Sequence, residues 1–528
     1  MIDDLTALGD LPQALVGRAR SAGVYLVWRA QTRAVRRVLV RERRVEETSA
    51  SSVSGVGLQV FTEEGATALA SRDDLLPDAT LPLLDGAVRA AHGGRALGVH
   101  RAALPDLPAT RAEVVPEECR HFDALSLREV GERLVELEEE WARRSPGPSL
   151  RLAYGTDLDA WRVGRSDGTD VLYAMPRCVL RGAATTPSAG ARHTVATAVS
   201  SPHPRLLWDP ERTALFLRRA EAAARLCLQL PDAPTHPPGS FPLVIDYALA
   251  KGLAHEAFGH ASEADAFRSS ILAKDGRFRV GDEVGPAHVS IVDETLPGDH
   301  AWQPFSPNGL ARRRTTIVSR GRLHEALSDP WSAAESGVAV TGAERAESYR
   351  HAPVPRMSNI RIEVEGALPA PGTFEDHGPE QVRDLLAGAG VFRRHPRVVY
   401  LSGYSGGQVN TASGDFVFNC KALYTLSLDG IALYRPAIFS GSMFGALQSI
   451  REAFGPLLLD ALGTCGKWGQ SVPSSGGSHW FLVLDPHPAV RIGGSACTSS
   501  SWSPHSRRPR TSGPGRWGRP SGAVSPWG

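Results

Sequence analysis

Residues 245–272 read IDYALAKGLAHEAFGHASEADAFRSSIL, and this stretch is predicted to form one long helix. It contains an HExxxH motif, in which His255, Glu256 and His260 lie close together in the chain. Imidazoles are common zinc ligands, and a carboxylate beside them can take a proton from a zinc-activated water. The motif therefore predicts a hydrolytic zinc site, although the same residues would also suit a polar, solvated helix face.

The spacing of the two histidines places a condition on this helix. On an ideal α-helix, residues five positions apart differ by about 140° in direction, so they do not face one ion. A π-bulge adds one residue to a turn, and such bulges are frequent at functional sites. We therefore expect a π-bulge between His255 and His260, and the backbone freedom of Gly259 should lower its cost.

A catalytic zinc ion needs a third protein ligand and an open position. Glu263 and Asp265 are local candidates, and Glu263 could instead orient a histidine by a hydrogen bond. Cys465 is a distant candidate in the segment TCGKWGQ, residues 464–470, where a thiolate in a glycine-containing turn could approach an ion closely. The residues alone leave the choice of third ligand open.

A proline-rich segment divides the chain. Residues 231–242, PDAPTHPPGSFP, contain five prolines, which neither a helix nor a central strand tolerates. Before this segment, helices are predicted at residues 11–22, 125–144 and 212–230, with strands between them. After the long helix, short β-like segments prevail and are interrupted by a predicted helix at residues 441–454.

These patterns predict three regions. We expect an N-terminal domain at residues 1–235 and a C-terminal domain at residues 236–497. Residues 498–528 contain five arginines, no Asp or Glu and no Leu, Ile, Met or Phe. Such a composition cannot supply a core, so these residues are predicted to form a disordered tail.

The composition argues against several classes of protein. Hydrophobic residues make up 42% and charged residues 22% of the chain, an ordinary balance for globular domains. The 58 basic and 57 acidic residues nearly cancel, so charge gives no case for a nucleic-acid or membrane-surface partner. The six cysteines are far apart and no apolar run approaches about 18 residues. We expect reduced thiols, no membrane span and a cytoplasmic location.

Several ordered motifs resemble those of a known family. The chain is similar to the TldD/PmbA family, also called the modulator-of-DNA-gyrase metalloproteases, and specifically to its zinc-bearing TldD branch. The segments that carry this resemblance are HEAFGHASEAD at 255–265, RAESYRHAPVPRMSN at 345–359, GGQV at 406–409, SGDFVF at 413–418, CGKWGQ at 465–470 and IGGSA at 492–496. They occur in the family's order, which makes the match specific.

The resemblance implies a fold and a mechanism. An α+β fold is expected, with an N-terminal α/β domain and a C-terminal domain of curved, mainly antiparallel β-sheet that carries the HExxxH helix. His255, His260 and Cys465 would bind Zn²⁺, and Glu256 would be the general base. The family acts in the cytoplasm as a heterodimer with a TldE/PmbA-like paralogue that lacks the zinc motif, and it cleaves unfolded peptides held as an added strand. Trp468 departs from the acidic or polar residue common at that position.

Five further residues are candidates for contact with the substrate. His351, Tyr349 and Arg356 could donate hydrogen bonds to the oxyanion of the reaction, or Tyr349 and Arg356 could simply hold the adjacent proline-containing turn. Gly406 and Gly407 could let a peptide backbone approach closely, or they could form a hairpin turn.

Three functions remain open from the sequence. The first is a zinc-dependent peptidase that acts on unfolded or extended polypeptides. The second is a non-hydrolytic interaction subunit of a heterodimeric protease, in which zinc is structural or absent. The third is amide hydrolysis of a small molecule. The glutamate of HExxxH favours the first, because a structural zinc site needs no base.

Overall fold

The computed structural model of the protein describes residues 1–96, 107–122, 124–186 and 192–495. We call residues 1–242 the N-terminal half and residues 243–495 the C-terminal half. The helices of the N-terminal half are α1 (Ile2–Thr6), α2 (Leu11–Ser21), α3 (Pro77–Ala96), α4 (Leu127–Arg144) and α5 (Pro210–Gln229). Its strands are β1 (Tyr25–Arg41), β2 (Arg44–Phe61), β3 (Thr67–Arg72), β4 (Arg111–Val114), β5 (Ser149–Arg165), β6 (Asp170–Thr185) and β7 (Thr194–Ser201).

The N-terminal strands form one sheet in the order β3-β2-β1-β5-β6-β4, with β7 also paired to β6. Two features of its sequence make α4 a helix. Ser126 and Glu129 cap each other at its start, and its apolar residues repeat every three or four positions. The helix buries Val130, Leu134, Leu137 and Trp141 in the N-terminal core. The helices predicted near residues 11–22, 125–144 and 212–230 are confirmed.

The C-terminal half contains a sheet of 13 strands. Its strands, with the short pairs β9–β10 and β14–β15 beside it, are β8 (Leu243–Asp246), β9 (Ala273–Lys274), β10 (Arg277–Phe278), β11 (Val289–Glu294), β12 (Thr315–Ser319), β13 (Arg322–Leu323), β14 (Glu344–Arg345), β15 (Val354–Pro355), β16 (Asn359–Val364), β17 (Arg397–Asn410), β18 (Asp415–Ser427), β19 (Gly430–Tyr434), β20 (Ala437–Ser442), β21 (Ile450–Leu458), β22 (Gly463–Lys467), β23 (Gln470–Leu484) and β24 (Val490–Ser495). Its helices are α6 (Tyr247–Gly252), α7 (Pro330–Ser336), α8 (Pro379–Gly388), α9 (Val391–Arg394) and α10 (Met443–Gln448).

The large sheet follows the order β13-β12-β11-β16-β23-β8-β17-β18-β20-β24. Its pairs are antiparallel except for β16 with β23 and β8 with β17. Strand β8 lies between β23 and β17, and α6 leaves directly from its end. The expected α+β class, with a mainly antiparallel C-terminal sheet, is confirmed.

Two predicted helices differ from the structure. The stretch 245–272 is not one helix, because its first residues belong to β8, the backbone is extended at Glu263, and the last helical turn ends at Ala266. At 441–454 only α10 is helical, and β21 begins at residue 450. A short apolar run suits a buried strand as well as a helix, so periodicity alone does not separate the two.

The two halves share a buried contact. The ring of Phe61 in β2 stacks on Trp331 of α7, with centroids 4.5 Å apart. Arg29 of β1 is fully buried and donates from Nε to the carbonyl of Pro307 at 2.6 Å. The N-terminal sheet uses residues 25–201, and the predicted domain boundary at 235/236 lies between the two sheets. The predicted tail at 498–528 lies outside the described residues.

Candidate metal centre

His255 and His260 come together through a π-helical turn. Strand β8 ends at Asp246, whose carboxylate accepts a hydrogen bond from the N–H of Leu249 at 3.0 Å and caps α6. The helix then widens into a π-turn over Leu253–Gly259, and the N–H of His260 donates to the carbonyl of His255, five residues earlier. The two imidazole rings are perpendicular, with centroids 5.1 Å apart. The expected π-bulge is therefore confirmed.

Gly259 serves this turn through its small size. Its φ is −57°, an ordinary helical value that any residue can adopt. A Cβ at this position would lie 2.6 Å from Sδ of Met357, which is fully buried. The expectation that backbone freedom is what the turn needs from Gly259 is thus wrong, since the requirement is space for Met357.

Cys465 reaches the histidines from the hairpin of β22 and β23. Its Sγ lies 3.5 Å from Nε2 of His260, and the ligand atoms of His255, His260 and Cys465 all lie within 4.8 Å of one another. Burial by itself would raise the pKa of the Cys465 thiol, but His260 and Arg356 outweigh burial and hold this pKa below its usual value. A lowered thiol pKa favours the thiolate, the form that binds metals.

The donor set fits a zinc ion. Zinc binds imidazole nitrogen and thiolate sulfur, and a catalytic zinc site uses three protein ligands, so two imidazoles and one thiolate supply suitable donors in the required number. Nδ1 of His255 is buried and has no hydrogen-bond partner among the described residues. An orphaned ring nitrogen is costly in a protein interior, and a bound cation is one way to satisfy the ring.

The two acidic residues considered as local ligands lie behind His260. Nδ1 of His260 is 3.1 Å from both carboxylate oxygens of Glu263, so Nε2 faces Cys465. The Lys467 ammonium is 2.8 Å from Glu263 and 2.7 Å from Asp265. A carboxylate on the second ring nitrogen is the usual arrangement that orients a metal-binding histidine. Glu263 is placed for that role.

Glu256 lies beside the cluster with one unpredicted partner. Its Oε1 accepts a hydrogen bond from the hydroxyl of Tyr404 at 3.2 Å, and its Oε2 is 4.0 Å from Nε2 of His260. Burial raises the pKa of Glu256, against the opposing charges of His260 and Lys251. Sequence reasoning missed Tyr404, which lies two residues before Gly406 in the quoted glycine motif.

Lys251 is a second residue that the sequence did not single out. It is 4% exposed, and its Nζ donates to Oγ of Ser474 at 3.2 Å. Burial lowers the pKa of Lys251, while the charges of Glu256 and Cys465 oppose that shift. The side chain thus places a buried amine close to the candidate base. Its position four residues before His255 on the same helix was the available signal.

The three side chains predicted to contact the oxyanion lie at different distances from the candidate metal centre. Tyr349 is buried against the N-terminal half, where its hydroxyl donates to Asp73 at 2.8 Å. Arg356 is fully buried and donates from Nε to Sγ of Cys465 at 3.3 Å and from Nη2 to the Cys465 carbonyl. His351 remains partly exposed. Arg356 therefore contacts the candidate ligand directly, and Tyr349 contacts the opposite half of the chain.

Gly406 and Gly407 lie within β17. The β17–β18 ladder shifts register between Tyr404 and Gly407, whereas the turn of this hairpin is at residues 411–414. The alternative in which these glycines form the hairpin turn is therefore wrong. A Cβ on Gly407 would lie 2.3 Å from the ring of Phe418, and Gly406 has a positive φ of 100°. Both positions therefore require glycine.

Trp468 stands at the tip of the β22–β23 hairpin. Its side chain is 68% exposed, and its φ is +52°, in the left-handed region that favours glycine. The ammonium of Lys467 lies 5.4 Å from the centroid of its ring. The departure from the family pattern is therefore an exposed aromatic residue, next in the chain to the lysine that holds Glu263.

Several known metalloproteases are similar to this chain in sequence. Residues 238–459 match the family described as the PmbA/TldA metallopeptidase C-terminal domain. The chain is 31% identical over 266 residues to a metalloprotease of Methanocaldococcus jannaschii, covering 50% of this chain and 53% of that protein. It is 30% identical over 267 residues to a metalloprotease TldD homolog of Haemophilus influenzae, covering 50% of each. A zinc metalloprotease TldD homolog of Saccharolobus solfataricus is 29% identical over 250 residues, covering 46% of this chain and 50% of that protein.

These alignments span about half the length of the curated relatives. A solved structure extends the likeness in fold. TldE from Thermococcus kodakarensis has a TM-score of 0.71 and 13% identity, covering 92% of this chain and 100% of that chain. At such low identity the likeness concerns the fold alone.

In its fold and in the cluster of His255, His260 and Cys465, the C-terminal half is similar to the metallopeptidase domain that the family model describes. The resemblance to the TldD/PmbA family indicated by the sequence motifs is confirmed, through a family model that matches residues 238–459. Within the described ranges, every helix is too short or too polar to cross a membrane.

Proposed function

We propose that this protein is a zinc-dependent peptidase that hydrolyses peptide bonds in unfolded or extended polypeptides. The observation that carries this proposal is the convergence of His255, His260 and Cys465 within 4.8 Å, with the Glu256 carboxylate beside them. The names of the relatives support a metalloprotease activity, and one of them names zinc.

In this proposal His255, His260 and Cys465 hold the Zn²⁺ ion. A bound zinc ion supplies Lewis acidity, which polarises a peptide carbonyl and makes a water molecule easier to deprotonate. Glu256 accepts that proton at its carboxylate and returns it to the leaving amine. The hydroxyl of Tyr404 donates to Oε1 of Glu256 and thereby holds the carboxylate in one orientation.

We further propose that the chain works with a TldE/PmbA-like paralogue in the cytoplasm. Its likeness in fold to TldE supports such a pairing. His351 stays a candidate for substrate contact, since it is partly exposed, as do Gly406 and Gly407 on β17.

The test is a pair of measurements on the wild type and on Glu256→Gln. Zinc per chain is measured by elemental analysis, and turnover is measured on a permanently unfolded protein, with and without the paralogue. We expect about one zinc per chain in both proteins and a loss of turnover in Glu256→Gln of about 10²–10⁴-fold. Glu283→Gln is the matched control, because its side chain is 69% exposed and forms an ion pair with the exposed side chain of Arg322.

Three results would contradict the proposal. Unchanged turnover in Glu256→Gln would remove the catalytic assignment. A folded chain that takes up no zinc when zinc is supplied would favour the non-hydrolytic interaction subunit. Cleavage of small amides with every unfolded protein left intact would favour the small-molecule alternative.

A further inference from the structure

Lys251 connects the two elements that carry the candidate zinc ligands. It lies near the end of α6, four residues before His255, and is buried. We call α6 and the π-turn that follows it the HExxxH helix. Nζ of Lys251 donates to Oγ of Ser474 on β23 at 3.2 Å, and Ser474 is fully buried. The lysine therefore joins the HExxxH helix directly to the β22–β23 hairpin, which carries Cys465.

One face of this hairpin meets the HExxxH helix at two points. Alternate residues of a strand point to the same face, so positions 463 and 465 of β22 share one face. At position 465 the thiol lies 3.5 Å from Nε2 of His260. Position 463 is Gly463, which is paired with Ser474 in the ladder. A Cβ on Gly463 would lie 2.8 Å from Nζ of Lys251, so the glycine leaves the space that the amine occupies.

The second contact controls the position of the first. A hairpin held at one point can turn about that point, whereas two contacts on one face fix both its distance and its direction. Zinc bonds to nitrogen and sulfur are about 2.0–2.3 Å long, so three ligands share an ion only when their spacing is closely controlled. Lys251 and His255 lie on the same helix, and Ser474 is paired two residues away from Cys465 along β22. The contact between Lys251 and Ser474 is thus placed to set the separation of two ligands.

Lysine is a costly residue at this position if its role is only to fill space. Burial lowers the pKa of Lys251, because the charged form loses its contact with water. An apolar side chain of similar length would avoid this cost, and replacing buried charged groups by apolar ones often stabilises a protein. A residue that lowers stability beside a reactive centre indicates a functional requirement.

We therefore propose that Lys251 is a positioning residue of the zinc site, whose contact with Ser474 holds Cys465 within reach of the ion that both histidines bind. This inference rests on the proposed zinc site and does not depend on the substrate. Arg345 and Arg356 also contact the β22–β23 hairpin, from the 345–359 segment. If those two arginines alone positioned the hairpin, changes at Lys251 would leave zinc binding unaltered.

The zinc affinity of Lys251→Met tests the proposal in the full chain. Methionine keeps the apolar stem of lysine and ends one atom short of Nζ, so it removes the contact with Ser474. We expect the affinity, measured against a competing chelator, to fall about 10–100-fold. The free energy of unfolding of the zinc-free variant should stay at or above the wild-type value. Lys421→Met is the matched control and should keep wild-type affinity, because Nζ of Lys421 donates to the carbonyl of Ala196 on β7.

Gly463→Ala disturbs the same contact from the side of the hairpin. Its Cβ displaces Nζ of Lys251, whereas the shorter side chain of Lys251→Met leaves room for it. Oγ of Ser474 lies 2.9 Å from this Cβ in both backgrounds, so its effect cancels in the comparison. We expect Gly463→Ala to lower zinc affinity about tenfold in the wild-type background and by less in Lys251→Met. Equal effects in both backgrounds, or wild-type affinity in Lys251→Met, would overturn the proposal.

Amide hydrogen exchange of the zinc-free protein separates this inference from the proposed function. Residues 463–467 should exchange about tenfold faster in Lys251→Met than in the wild type, because the hairpin has lost a contact with the helix. Unchanged exchange would overturn the positioning role, whether or not the wild type takes up zinc. A wild type that takes up no zinc, but whose hairpin exchanges faster in Lys251→Met, would contradict the proposed function and support the contact as the one that positions the hairpin.

Discussion

His300, in the segment between β11 and β12, should make the protein sensitive to acid. Burial, reinforced by the positive charges of Arg177 and Arg181, lowers the pKa of His300 to about 3. Its Nδ1 is buried and has no hydrogen-bond partner among the described residues. The folded protein therefore holds this ring neutral, whereas the unfolded chain protonates it near its ordinary pKa of 6.5. Replacing His300 by Gln removes the titration.

The sign and size of the effect follow from linkage. Because the folded pKa lies below the unfolded one, the unfolded state binds more protons and the free energy of unfolding falls as the pH falls. The loss begins near pH 6.5 and continues towards pH 3. Each unit of pKa difference corresponds to about 1.4 kcal/mol, so the contribution of His300 falls by about 2 kcal/mol between pH 7 and pH 5.

Denaturant unfolding at pH 7 and pH 5 measures this contribution. For the wild type and for His300→Gln, we compare the decrease in the free energy of unfolding between pH 7 and pH 5. Any effect of Gln that is already present at pH 7 cancels in this comparison. We expect the variant to lose about 2 kcal/mol less than the wild type. His324→Gln is the control, because that side chain is 57% exposed and should keep the wild-type loss. Equal losses in wild type and His300→Gln would refute the reasoning.

Two further substitutions probe the metal centre and the contact between the halves. Lys467→Met leaves the buried carboxylate of Glu263 without its cation, and zinc affinity measured against a competing chelator should fall about 10–100-fold, with Lys467→Arg less affected. An unchanged affinity would contradict this account. Gly57→Ala places a Cβ 2.0 Å from the carbonyl oxygen of Tyr349 and should reduce the free energy of unfolding by about 1–3 kcal/mol. Gly93→Ala is its control, because a Cβ at that position meets no atom within 4 Å. Equal melting temperatures for Gly57→Ala and Gly93→Ala would count against the clash.

The HExxxH turn could be predicted because its chemistry and its geometry are both local. The five-residue spacing of His255 and His260 requires a wider turn if both rings are to face one ion, and the structure has that turn. Gly259 marks the limit of this reasoning. Its requirement for a small side chain comes from Met357, which lies in the segment between β15 and β16. No pattern around Gly259 carries that information.

The hydrogen bond between Tyr404 and Glu256 could not be predicted either, because it joins parts of the chain that are distant in sequence. Tyr404 reaches Glu256 because β17 lies next to β8 in the sheet, with Leu401 paired to Ile245. The order of strands in a large mixed sheet depends on long-range packing, and strand sequences do not specify their neighbours. Tyr349 is the opposite case, because the sequence suggested it as a contact for the substrate. Its hydroxyl instead donates to Asp73 in the N-terminal half.

Two arginines of the RAESYRHAPVPRMSN segment, Arg345 and Arg356, help to bring Cys465 to the candidate metal centre. Arg345 donates to the carbonyls of Met357 and Pro473, and Arg356 donates to the carbonyl and the sulfur of Cys465. A buried guanidinium is costly unless acceptors surround it, and these acceptors include groups of the β22–β23 hairpin. Burial of the two arginines and docking of the hairpin therefore favour each other. Cys465 comes within reach of His260 only when that segment is in place, so the third ligand depends on tertiary structure.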